Sequence, residues 1–90
     1  MDICEMLKQN LENKTQMLER AYERCVIDLG DINVVLTDTP HGEIPSLDQA
    51  VFDFVRAVRF VGSLTEPCID VEPYKRRVGK LKAIKLNYAA

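Results

Sequence analysis

Histidine is almost missing from this 90-residue chain, glycine is sparse, and no apolar run is long. Each shortage removes a class of function. The single histidine, His41, lies in a turn-rich stretch near Asp38 and Glu43. A nucleophilic triad or a metal site needs more partners than that, so His41 reads as a solvated loop residue. The four glycines stand singly at 30, 42, 62 and 79, in neither the dinucleotide nor the P-loop spacing, which removes those routes to nucleotides. No apolar run approaches the roughly 18 to 20 residues that cross a bilayer. The opening residues, Met-Asp-Ile-Cys-Glu-Met-Leu-Lys, lack the basic and apolar regions of a secretory leader. The expectation is a cytoplasmic, non-enzymatic protein with no cofactor, no metal and no membrane partner.

Cysteine is scarce as well. Cys4, Cys25 and Cys68 make an odd count without a Cys-x-x-Cys pair, which argues against a disulfide framework and against zinc. On one helix, at 1.5 Å per residue, Cys4 and Cys25 stand about 30 Å apart and cannot bridge. Reduced thiols packed as small apolar side chains are expected. Asn13-Lys14-Thr15 matches a glycosylation sequon but falls in the middle of a helical pattern, where chance explains it better.

What is present points to a single small domain over residues 1–90. The hydrophobic share of 47% and charged share of 29% are those of a chain that folds. A domain of this size buries only about 60 to 65% of the surface its unfolded chain exposes, so its margin of stability is thin. The net charge of −2 hides a split. Residues 1–73 hold fourteen acidic and six basic residues, a balance of −8, whereas 74–90 hold six basic residues and no acid.

The pattern predicts a mainly α fold: a long N-terminal helix, a central amphipathic helix and a shorter basic C-terminal helix. Residues 2–29 contain no proline or glycine, and Asp2 with Glu5 fits a capping box. Cys4, Leu11, Leu18, Cys25 and Ile32 recur every seven residues, but the companion positions Leu7, Lys14, Ala21, Asp28 and Val35 make a poor seam. After Gly30 the run Ile32 to Leu36 suits either a continued helix or a strand. Strands at 32–36 and 68–71 would make the fold α+β instead. Thr37 to Pro45 is a loop by its prolines, glycine and Asx content. Ser46 with Gln49 predicts the start of a helix from about Leu47 to Val61 or Leu64, with Leu47, Val51, Phe54, Val58 and Val61 facing the core. Pro73 is placed for the first turn of a third helix carrying Tyr74, Val78, Leu81 and Tyr88 on one face, though Lys85 interrupts it and Ile84 to Tyr88 alternates as a strand does.

Two surfaces stand out. Phe52 and Phe60 lie off the main stripe of the central helix beside Arg56 and Arg59, a composition suited to an interface. The thin stripe of the first helix, with Leu11 and Leu18, points the same way, because a long amphipathic helix in a small chain often packs on a second copy. The leading expectation is therefore a protein-interaction module, an adaptor or regulator, that self-associates or binds a protein partner through Leu11, Leu18, Phe52, Arg56, Arg59 and Phe60. The alternative is a small nucleic-acid-binding regulator acting through Lys75, Arg76, Arg77, Lys80, Lys82 and Lys85. An internal role for that basic segment, docked on the acidic body, competes with it.

Overall fold

A computed structural model of the protein describes residues 2–30, 36–37, 45–64, 68–82, 84–86 and 88. The fold is mainly helical. Three helices, α1 (Ile3–Leu29), α2 (Pro45–Gly62) and α3 (Glu72–Gly79), are joined by a two-residue parallel pairing of β1 (Leu36–Thr37) with β2 (Ile84–Lys85).

At 1.5 Å per residue, α1 is about 40 Å long and matches the 41 Å long dimension of the molecule. It starts as the capping residues imply, with extended Asp2 accepting the Glu5 N–H on its carboxylate at 2.9 Å. It stops at Leu29, where Gly30 takes φ 77°, a left-handed conformation that costs a residue without Cβ little. The helix therefore does not run on through Gly30. Ile32 and Val35, assigned to the same stripe, lie outside the described residues.

The second helix begins one residue before the predicted cap. Pro45 opens α2, since its missing N–H is one that no helical carbonyl would have accepted, and Ser46 is already inside the first turn. The predicted core face is observed: Leu47, Val51, Phe54, Val58 and Val61 are buried, with Ala50 and Val55 beside them. All of these but Val61 form one cluster with Leu11, Leu18 and Cys25 from α1 and with Tyr74 and Val78 from α3. Tyr88 closes this core edge-on to Phe54, with ring centroids 6.2 Å apart, and burial above all pushes its hydroxyl pKa up to about 12. The Tyr22 hydroxyl on α1 accepts the Lys82 N–H at 3.1 Å and ties the chain after α3 back to the first helix.

The alternative strand at 68–71 does not form. Cys68 to Val71 run irregularly into α3, with the Asp70 carboxylate accepting the Glu72 N–H at 3.0 Å. The alternation after α3 does mark a strand, but its partner is β1, in the register Leu36 opposite Ile84 and Thr37 opposite Lys85.

Two of the three cysteines are oxidised, against the expectation of reduced thiols. Cys4 and Cys68, 64 residues apart in sequence, form a disulfide with their Cα atoms 6.0 Å apart. Count and spacing describe only neighbours along the chain. Here α2 returns beside α1, its last turns near the first turns of α1, and the segment that follows reaches Cys4. Cys25 remains free and buried, and desolvation, then the neighbouring Asp28, pushes its thiol pKa up, so it is a poor nucleophile.

Candidate interaction surface

The residues first assigned to an interface divide sharply. Leu11 and Leu18 are fully buried in the protein's own core, so they offer nothing to a partner, and this part of the expectation is corrected. The reason is local: α2 and α3 both pack on that side of α1, and Thr15 completes the face by turning its hydroxyl back to donate to the Leu11 carbonyl at 2.7 Å. Burial of Thr15 also leaves the sequon without an accessible third residue.

On α2, Arg56 and Phe60 are exposed, Phe60 by 53%, whereas Phe52 and Arg59 are half-buried. Arg56 sits 5.6 Å from the centroid of the Phe52 ring, a cation–π contact that holds its charge beside the patch. Arg56 and Phe60, with Asp53 and Ala57, form one wall of a groove of about 550 Å³. Ile3, Met6, Leu7, Asn10 and Lys14 of α1 form the other. One end of the groove is apolar, with Ile3 and Met6 exposed by 66% and 56%.

That end is the start of a longer feature. Ile3, Met6, Asn10, Asn13, Met17, Arg20, Arg24 and Ile27 follow one another at alternating steps of three and four, and all eight are exposed. This spacing draws one seam along a helix. Among the described residues, four of the five large apolar side chains left exposed, Ile3, Met6, Met17 and Ile27, lie on it, and the fifth, Phe60, flanks its N-terminal end. The signal was available in the sequence: the seam runs one residue ahead of the Cys4 stripe at its start, and the richer leucine stripe masked it.

The basic segment is partly turned inward. Arg77 reaches across to α1, where its guanidinium grips Glu12 through Nη1 at 2.9 and 3.0 Å and also pairs with Glu19. Lys75 lies 4.4 Å from the centroid of the Tyr88 ring and 3.6 Å from the Glu72 carboxylate. Arg76, Lys80, Lys82 and Lys85 are exposed. The segment thus serves first as the internal partner of the acidic body, and four of its six cations are left for other roles.

Hydrogen bonds from Arg77 and then Gln16 hold the Glu12 carboxyl below its usual pKa. A depressed folded-state value means that this contribution to stability is present above the unfolded pKa, about 4.3, and is lost as pH falls through the lower folded one. The clamp is about one-third exposed, so solvent limits it to about 1 to 2 kcal/mol. Arg77→Met should therefore lower the urea midpoint modestly at pH 7 and flatten its decline below pH 5. An acid limb as steep as that of the native protein would show that Arg77 does not set it.

Among the described residues no helix is long and apolar enough to cross a membrane, and no group of three or more His, Cys, Asp or Glu is arranged to hold a metal ion. His41 lies outside the described residues. Comparison with protein-family models, curated proteins and solved structures finds no match to this chain.

Proposed function

We propose that the chain is a non-enzymatic interaction module whose partner is a second copy, seated along the outer seam of α1. The seam of four exposed apolar residues at coiled-coil spacing carries this reading.

The polar members of the seam favour a second copy running antiparallel. In that orientation Ile3 faces Ile27, Met6 faces Arg24, Asn10 faces Arg20 and Asn13 faces Met17. Each arginine then meets a methionine or an amide oxygen, and Ile27 enters the apolar end of the groove beside Ile3 and Phe60. Arg20 approaches the Asp53 wall, which supplies the opposite charge. A parallel pair would instead stack Arg20 on Arg20 and Arg24 on Arg24, a like-charge cost. Of the surface read from the sequence, Arg56 and Phe60 remain as its edge, and Leu11 and Leu18 give way to Ile3, Met6, Met17 and Ile27.

Ile27→Asp tests the seam, because Ile27 is 72% exposed and its loss leaves the core untouched. Sedimentation equilibrium should find a dimer for the native chain and a monomer for the variant, with the helical content unchanged and the native midpoint alone rising with concentration. A native chain that stays monomeric at several hundred micromolar overturns the proposal. The cytoplasmic setting was expected from the missing secretory leader and bilayer-length apolar run. With Cys4 bonded to Cys68, a compartment that lets disulfides form fits better. Nucleic-acid binding retains only Arg76, Lys80, Lys82 and Lys85 as exposed support, and a salt-independent lack of binding to DNA and RNA would remove it.

A further inference from the structure

The disulfide lies in the open, at a place where the fold depends on it. Cys68 is exposed and Cys4 half-buried, and both line a hollow of about 370 Å³ with Asp2, Glu5, Lys8, Asp70 and Tyr74. Three carboxylates against one ammonium make its rim acidic. Two of the carboxylates are fixed there, Asp2 by the Glu5 N–H and Asp70 by the Glu72 N–H. The helix held by this bond has little else to hold its start. From Ile3 to Asn10 no side chain is buried, only Cys4 and Leu7 are half-buried, and the first core residue is Leu11. The Arg77 clamp begins only at Glu12. A helix end with so few buried contacts opens readily once its tether is cut.

We propose that Cys4–Cys68 is an exchange site for a dithiol reductant bearing positive charge around its attacking thiolate, and that its opening releases the first two turns of α1. The thiolate attacks Sγ of Cys68, the more exposed of the two residues, and Cys4 departs as a thiolate that takes up a proton. It leaves from the first turn of α1, where the helix N-terminus favours negative charge. The second thiol of the reductant then displaces Cys68 and closes the reductant's own disulfide. Two electrons and two protons have passed to Cys4 and Cys68. Negative charge on the rim repels an anionic attacker over a distance comparable with the screening length, so selection among reductants is electrostatic. Release of residues 3–10 also removes Ile3 and Met6 from the seam, so reduction would weaken pairing; this last consequence rests on the proposed self-association.

The first arm of the test uses the native protein and three monothiols whose thiolate forms carry net charge 0, −1 and −2: cysteamine, mercaptoethanol and glutathione. Normalised to each thiolate's rate with an uncharged model disulfide, which removes differences in basicity, the rate of exchange should fall by about two- to five-fold at each step at low ionic strength, and the steps should shrink at high salt. Peptide mapping should find the first adduct on Cys68. A flat or reversed order, or a first adduct on Cys4, overturns the exchange site. The second arm follows amide hydrogen exchange before and after reduction with a neutral dithiol in the cold. Amides from Leu7 to Leu11 should lose at least ten-fold more protection than that of Val58 in the core. Equal losses mean that the bond stabilises the whole fold without latching the helix start, and they overturn the release. Sedimentation of the same samples separates the two proposals. Local release with an unchanged monomer or an unchanged dimer leaves the latch standing and removes the seam; loss of the dimer together with local release supports both.

Discussion

Removing the disulfide, by Cys4→Ser with Cys68→Ser, is expected to cost the fold about 4 kcal/mol, the largest effect of any change outside the core. The bond closes a loop across 64 residues of sequence separation, and the entropy it removes from the unfolded chain grows with loop length. Total stability for a domain of this length is about 5 to 13 kcal/mol, so the cross-link supplies a large share of it. For a 60- to 100-residue domain each kcal/mol corresponds to about 4 to 8 °C. Thermal unfolding of the double variant, or of the native protein under reductant, should therefore have its midpoint about 15 to 30 °C lower. The two samples should agree, because they share the loss of the same constraint. A midpoint that moves by less than about 5 °C would show that the native bond is strained or that the unfolded chain keeps the two cysteines close.

The second large effect falls on Phe54. Its ring is fully buried among residues of all three helices and meets Tyr88 edge-on. Phe54→Ala leaves a void that these helices cannot all move to fill, at an expected cost of about 3 to 5 kcal/mol. Phe60→Ala, on the same helix but half exposed, should cost less than about 1 kcal/mol. Urea unfolding of the two variants measures the contrast directly. Equal costs would mean that α2 is rotated about its axis from the orientation described, and the groove built on Arg56 and Phe60 would go with it.

Both results bear on how far the fold could be read in advance. The core face of α2 was legible because Leu47, Val51, Phe54, Val58 and Val61 repeat at 4-3-4-3 along one continuous helix, and periodicity of that kind needs no knowledge of the partner. The third helix was legible in its start, through Pro73 in the first turn, and in its inward residues Tyr74 and Val78. The seven-residue repeat of α1 was also visible, but its destination was not. A stripe of Leu11, Leu18 and Cys25 can face a second copy or the rest of its own chain. The choice depends on whether α2 and α3 fold back onto it, which no residue on α1 records. On α1 the interface assignment consequently fell on the buried Leu11 and Leu18, while Ile3, Met6, Met17 and Ile27 went unremarked.

By itself the sequence determined the three helices, the inward face of the second and the cap at Asp2, whereas it left open whether the first helix stops at Gly30. The features it determined are set by residues within a few positions of one another, where bond geometry and helical period act directly. Tertiary structure alone decided that Cys4 meets Cys68, that Arg77 spans Glu12 and Glu19, and which of two stripes on α1 faces outward. Those contacts join residues 58 to 65 positions apart. Their proximity follows from the return path of the whole chain, a property that local spacing does not encode.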